Sequence, residues 1–245
     1  MIPEVRREQI LQMLSSDSIT TTDEIQTKLN ISVSTLRRDL IKLQEDNRII
    51  LLHGGGVKLA QKSVELRMAE KLGINRKEKD AIARKAASYV ENGDVIFLDP
   101  SSTTYLMIPY LVGRDITVVT NGISHIAELI ANDIPSIMIG GLIKTVTSSC
   151  YGPMTESSLE TLNFNKCFLG ASGFSIESGI TNHDINEKAI KVIALHNSMK
   201  QYFLLDSSKY KVLTLIKVAE INEYPIITNS IPEELSSYSN FILSD

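Results

Sequence analysis

The sequence predicts an α/β chain in two unequal parts: a small N-terminal winged helix-turn-helix, then a larger Rossmann-like α/β domain. Three observations predict this. At 245 residues the chain suits one large or two unequal domains. Its first 60 residues carry two helix-length amphipathic segments separated by a three-residue turn, followed by a short apolar hairpin pattern. Beyond Arg76 the rhythm changes to short apolar runs alternating with helical segments, the pattern of a mostly parallel sheet covered on both faces.

The elements follow in order. Residues 4–16 predict an amphipathic helix with Val5, Ile10, Met13 and Leu14 on one side. Ser18 to Thr22 interrupts it, and Thr21 or Thr22 can cap a helix from Asp23 to Leu29. Asn30-Ile31-Ser32 is the turn. A longer helix runs from Val33 to about Gln44, with Val33, Leu36, Leu40, Ile41 and Leu43 expected to face inward. Arg48 to Val57 predicts two short strands with a glycine turn at Gly54-Gly55-Gly56. These elements make a first domain over 1–58. Residues 59–76, polar and without strong periodicity, predict a linker, and 77–245 the second domain.

In the second domain a helix over Glu78–Glu91 leads to the strand Val95–Asp99, and Ser101-Ser102-Thr103-Thr104 opens another helix. Strand Ile116–Asn121, a helix from Ile123 and strand Ser136–Gly141 come next. Further strands are expected at 166–171, 202–206, 225–228 and 241–243.

Composition narrows the function classes. The N-terminus has charges inside its apolar pattern, so neither a signal peptide nor a membrane anchor is expected. No apolar run reaches the length of a membrane span. Cys150 and Cys167 form no paired motif, and the four histidines show no metal-ligand spacing. A cytoplasmic location, no metal and no cofactor are the expectation. The net charge of −4 hides its arrangement: residues 1–60 balance eight Lys/Arg against eight Asp/Glu, and the remainder carries the excess. Arg37, Arg38, Lys42, Arg48 and Lys58 cluster late in the first part, and a local cationic patch is what phosphate contact needs.

The second helix of the pair would present Ser34, Thr35, Arg37 and Arg38 outward. Hydroxyls at its N-terminus can reach base edges or phosphates, and arginines make forked contacts to phosphate or guanine. Double-stranded DNA is the expected partner. Four polar segments follow apolar strands of the second domain, where open α/β sheets place a ligand crevice. They are Asp99-Pro100-Ser101-Ser102-Thr103-Thr104, Thr120-Asn121-Gly122, Gly140-Gly141 and Asp206-Ser207-Ser208-Lys209. Hydroxyls and free amides at a helix start suit a phosphate, and glycine lets a ligand approach the backbone. Each alone also fits a plain cap, a tight turn or a surface lysine; their equivalent topological positions make them a set.

Leu36-Arg37-Arg38-Asp39-Leu40, followed about a dozen residues later by His53-Gly54-Gly55-Gly56, resembles the signature of DeoR-type regulators. Leu98-Asp99-Pro100-Ser101-Ser102-Thr103-Thr104, Val118-Val119-Thr120-Asn121, Gly140-Gly141, Leu169-Gly170-Ala171-Ser172-Gly173 and Leu205-Asp206-Ser207-Ser208-Lys209 match the same family in order. The resemblance covers nearly the whole chain. It implies a repressor of a sugar or carbohydrate operon whose sensor domain is similar to ribose-5-phosphate isomerase and binds a phosphorylated sugar. It adds His53, in the wing, to the DNA-contacting set. A phosphate would sit on Ser101, Ser102, Thr103 and Thr104, with Asp99, Asn121, Gly141, Glu187 and Lys209 lining the rest. The effector would release the DNA, and a homo-oligomer, dimer or tetramer, would present two wings. Two departures stand out: Pro100-Ser101-Ser102 replaces the family's common Ser-Gly-Thr, and Ser172 stands where acid is frequent. The rival reading is an active sugar-phosphate isomerase, with Asp184 or Glu187 as its base.

Overall fold

A computed structural model of the chain describes residues 2–14, 19–45, 49–52, 54–59 and 65–244. They divide into two compact units, meeting in sequence between Val64 and Glu65.

The first unit contains helices α1 (Pro3–Met13), α2 (Thr22–Leu29) and α3 (Val33–Glu45), and strands β1 (Thr20–Thr21), β2 (Ile49–Leu52) and β3 (Gly56–Leu59). Thr21 starts α2 with a reciprocal cap: its hydroxyl accepts from Glu24 N at 3.2 Å, and its own N–H donates to Glu24 Oε2 at 2.8 Å. Asn30, at φ 49°, ends the helix in the left-handed conformation. The strands form an antiparallel sheet in the order β1-β3-β2. Ile10, Leu11, Leu14, Ile25, Leu36, Leu40, Leu43, Ile49 and Val57 make the core.

Three expected core residues are exposed instead: Val5, Val33 and Ile41. At 100° per residue Val5 points away from Leu14 and Ile41 away from Leu40. Val33 shares the stripe of Leu36 and Leu40 but lies beyond the end of the core.

The larger unit begins with α4 (Met68–Gly73), α5 (Arg76–Ala87), β4 (Val95–Leu98), α6 (Ser102–Met107), β5 (Thr117–Thr120), α7 (Ile123–Ala131) and β6 (Ser136–Met138). It continues with β7 (Leu142–Lys144), β8 (Ser149–Tyr151), α8 (Pro153–Glu160), β9 (Phe164–Gly170), β10 (Gly173–Ser175), β11 (Gly179–Asn182) and α9 (Ile185–His196). The last strands are β12 (Ser198–Leu204), β13 (Ile216–Ala219), β14 (Ile226–Thr228) and β15 (Phe241–Leu243). Seven strands form one parallel sheet in the order β15-β14-β12-β9-β4-β5-β6. Alternation sends Ile96 and Leu98 to the face covered by α5 and α6, and Phe97 to the face shared with Leu159 and Ile190. The expected α/β fold class is therefore the observed one.

The chain winds outward from β4 through β5 to β6, then returns to β4's other side with β9. That reversal is a topological switch point, where the ends of β4 and β9 diverge and leave a crevice. A hairpin, β7-β8, and a small antiparallel sheet, β10-β11-β13, lie outside the main sheet.

The stretch expected as a linker over 59–76 is folded from Glu65 onward. Met68 is buried, Leu72 packs on the core, and Met68 N–H donates to Val146 O at 3.0 Å. One short helix with a single apolar pair is too brief to show periodicity.

Candidate functional site

In the smaller unit α3 exposes Ser34, Arg37, Arg38 and Lys42, with Thr35 half-buried. The first-turn hydroxyls bond to one another: Ser32 Oγ lies 2.8 Å from Thr35 Oγ1 and 3.1 Å from Ser34 Oγ. Arg38 Nε donates to Ser34 O at 3.3 Å. Between α1 and α3 runs a groove of 440 Å³ whose walls include Arg6, Arg7, Thr35, Arg38 and Lys42. Its floor is Asp39, paired through both oxygens with the Arg6 guanidinium, so α1 is clamped to the helix that carries the exposed arginines. Arg6 and Arg7 were not among the residues the sequence singled out, and Asp39 entered only as part of the Leu36–Leu40 motif; charges within an amphipathic helix read as a solvated face. His53 and Arg48 lie outside the described residues.

In the larger unit the segments after β4, β5, β9 and β12 converge at the switch point. Asp99, almost fully buried, is the hub. Its Oδ2 accepts from Gly170 N at 2.9 Å and pairs with Lys191 Nζ from α9; its Oδ1 accepts from Ser101 N at 3.2 Å. A side chain on Gly170 would place its Cβ 2.4 Å from Ser101 Cβ, so only glycine lets the two strand ends come this close. The hydroxyl row is partly consumed within the fold. Ser101 Oγ accepts from Thr104 N at 3.2 Å, and Thr104 Oγ1 donates to Asp99 O at 2.6 Å and lies 3.1 Å from His125 Nε2. Burial holds His125 neutral, with its pKa lowered to about 4. Ser102 and Thr103 are buried as well, and Thr103 Oγ1 has no partner among the described residues.

Asn121 donates to Cys150 O at 2.8 Å, and its buried Oδ1 has no partner among the described residues. Asp206 is likewise buried: Oδ1 accepts from Asn75 Nδ2 at 3.1 Å and from Ser208, and Oδ2 has no partner among the described residues. Burial alone would raise its pKa, but Lys209 and Lys79 hold it below the usual carboxylate range. Gly141 sits elsewhere in kind. The room it leaves is filled by the chain itself, since a Cβ there would meet Thr155 Oγ1 at 2.0 Å and Tyr151 O at 2.7 Å.

Lys79 and Lys191 emerge only with the structure. Lys79, from α5, is buried, and its Nζ donates to Lys71 O at 2.6 Å. Burial lowers its pKa to about 8, the nearby Lys209 adds to the effect, and Asp206 opposes it. Lys209 is itself shifted down by loss of solvent, against the pull of Asp206. Both lysines had a signal: each falls on the buried stripe of its helix, Lys79 with Ile82, Ala83 and Ala86, Lys191 with Ala194 and Leu195.

Glu187 stands at the far side. Its Oε2 accepts from Asn182 Nδ2 at 2.7 Å and its Oε1 from Lys144 Nζ at 3.1 Å. Burial raises its pKa, with Lys191 and Lys144 opposing. Among the described residues no group of three or more His, Cys, Asp or Glu is arranged to hold a metal. None of their helices is long and apolar enough to cross a membrane.

The DeoR-like helix-turn-helix domain matches residues 6–62, and the DeoR C terminal sensor domain matches residues 74–230. The chain belongs to the DeoR family. It is a DeoR-family helix-turn-helix transcriptional regulator with the family's sensor domain. It is similar to the HTH-type transcriptional regulator FruR of Bacillus subtilis (strain 168), at 35% identity over 95% of this chain and 93% of that protein. The Lactose phosphotransferase system repressor of Lactococcus lactis subsp. lactis is 36% identical over 84% of this chain and 82% of its own. The L-fucose operon activator of Haemophilus influenzae (strain ATCC 51907 / DSM 11121 / KW20 / Rd) is 30% identical over 95% of this chain and 95% of its own. Among solved structures, the ribose 5-phosphate isomerase A of Methanocaldococcus jannaschii is similar at 18% identity, over 56% of this chain and 55% of that one, with a TM-score of 0.41.

Proposed function

We propose that this DeoR-family regulator represses a sugar or carbohydrate operon, reading its operator with α3 and the wing, and is released when a phosphorylated sugar enters the switch-point crevice. The observation that carries the ligand reading is the mismatch inside that crevice. Lys79, Lys191 and Lys209 converge around Asp99 and Asp206, while Glu187, beyond Lys191, is shared with Lys144, and burial has already cost Lys79 part of its affinity for a proton. A phosphate would supply the missing negative charge. The orphaned Asn121 Oδ1 and Asp206 Oδ2 need donors, which sugar hydroxyls provide, and Thr103 Oγ1 needs any partner. Of the expected set, Asp99, Ser101, Ser102, Thr103, Thr104, Asn121 and Lys209 belong to this crevice in our reading, and Glu187 borders it. The names of the lactose and fucose relatives support sugar operons as the target; one is a repressor and the other an activator.

For DNA, Ser34, Thr35, Arg37, Arg38 and Lys42 remain the proposed contacts, joined by Arg6 and Arg7 across the groove. We read the sensor as non-catalytic. Both carboxylates that an isomerase would use are occupied: Asp184 caps α9 through Asn186 N at 2.7 Å, and it shares Lys144 with Glu187. Titration calorimetry with a panel of sugar phosphates and the matching free sugars tests the ligand class. Saturable heat from one phosphate and none from its free sugar is expected; tighter binding of free sugars would overturn the reading.

A further inference from the structure

We propose that the β6 end of the larger unit is the surface through which two copies of this chain join. Among the described residues the main sheet stops at β6, which pairs with β5 on one side only. Val118 N donates to Pro135 O and Ile139 N to Thr120 O, so the odd-numbered residues face β5. In a parallel ladder the N–H and C=O of Ser136 and Met138 then point to the open side. Edge strands are normally shielded by charge, proline or a covering element; the sequence Ser136-Ile137-Met138 carries no charge.

The surroundings of that edge are apolar. Ile123, Ala127, Ile130 and Ala131 are exposed at helical spacing along one face of α7. α7 packs on β6 and β8, β8 pairs with β7, and Leu142 of β7 lies against Gly152 at the start of α8. Along this path Ile130, Ile143 and Met154 are 67%, 62% and 69% exposed, and Ile137 and Leu142 are exposed with them. The segment 123–154 holds three charged residues. Glu128 is engaged with Tyr105 and Asn132, and Lys144 with three carboxylates, which leaves Asp133.

The charge pattern selects the occupant. A nucleic acid or an anionic membrane needs free cations, and this face offers none beyond the engaged Lys144. A two-fold interface brings each residue near its own copy, so a patch almost without charge meets itself without repulsion. Six large apolar side chains with alanines between them make the depleted-charge centre that an interface of about 800 Å² per partner contains. Elsewhere Leu213 and Leu215 are equally exposed, yet they lie between Lys211 and Lys217 and have no such surroundings.

The test is the mass of the full chain in solution, by light scattering across 1–100 µM, which requires neither DNA nor ligand and so stands apart from the functional reading. Wild type is expected at a multiple of the 27.2 kDa chain mass. Ile130→Glu with Ile137→Glu, and separately Leu142→Glu with Ile143→Glu, are each expected to run at half the wild-type mass or less while still melting cooperatively. Leu213→Glu with Leu215→Glu should keep the wild-type mass. A wild-type monomer throughout that range would overturn the proposal. So would retention of the wild-type mass by whichever β6-end pair folds, or dissociation by the Leu213/Leu215 pair alone.

Discussion

Glu65, the first residue of the larger unit, and Lys144 on β7 form an ion pair at 2.5 Å. The same ammonium reaches Asp184 at 2.9 Å and Glu187 at 3.1 Å. Burial would lower the lysine pKa, but Glu187, Glu65 and Asp184 together hold it above its ordinary value. One side chain therefore ties the first residue of the larger unit to Asp184 and Glu187 at the start of α9. If the effector acts through this tie, Glu65→Ala leaves sugar-phosphate affinity within about twofold. The change that ligand makes to DNA affinity should then fall at least fivefold, about 1 kcal/mol of coupling. Titrations of DNA at saturating and zero ligand measure it, and undiminished coupling would remove Glu65 from the route.

Thr103 and Thr104 are adjacent and spend their hydroxyls differently. Thr103 Oγ1 is buried with no partner among the described residues, whereas Thr104 Oγ1 bonds Asp99 O and His125. Thr103→Val should keep or raise the melting temperature and abolish the ligand response with DNA affinity intact. Thr104→Val should cost about 1–3 kcal/mol of stability, because it strands buried partners. If Thr103→Val is the more destabilising of the two, Thr103 is a structural hydroxyl and the crevice is misplaced.

Lys79, with its pKa near 8, sets a pH dependence. Its ammonium is present below that value and lost above it, while a sugar phosphate, with its second pKa near ~6, is essentially all dianionic above about pH 7.5. Affinity for the phosphate is expected to be level near pH 7 and to fall up to about tenfold per unit above pH 8. Calorimetry across pH 6.5–9.5 reads this directly. Lys79→Met should bind weakly and show a flatter profile; an unchanged profile would exclude Lys79 from the anion site.

His125 predicts acid sensitivity of the fold. Its folded pKa is lowered to about 4, below the unfolded value of about 6.5, so the unfolded chain binds more protons between them. Stability is complete above pH 6.5 and falls as pH drops, by about 3 kcal/mol from this residue at pH 4. His183, also lowered to about 4 by burial and by Lys71, acts in the same direction. Urea midpoints from pH 7.5 to 4.5 should therefore decline more steeply for wild type than for His125→Gln.

Much of this arrangement was legible before the structure. Strands such as Val95-Ile96-Phe97-Leu98 are apolar on both faces and declare a covered parallel sheet. The hidden elements are those with too few residues to show a period, such as β7, β8, β10 and α4. In the site, the polar segments after strands located the switch point, because topology puts strand ends together whatever their side chains. The sequence did not show how the hydroxyls would be spent: Ser101 and Thr104 serve the fold, and Thr103 is left buried without a partner among the described residues. Nor did it weigh Lys79 and Lys191, since a helical lysine ordinarily extends its charge into solvent. Their place on apolar stripes was the overlooked signal.

The exposed arginines of α3 test the reading head. Arg37→Ala or Arg38→Ala should weaken operator binding by about 1–3 kcal/mol. Unchanged affinity in both would refute α3 as the reading helix.

The most direct test of the whole account is fluorescence anisotropy of the full chain on DNA from its own upstream region, with and without a panel of sugar phosphates. Binding tighter than to random DNA, weakened by one phosphate and not by its free sugar, is expected. Operator binding that no sugar phosphate alters, or that free sugars alter equally, would contradict it.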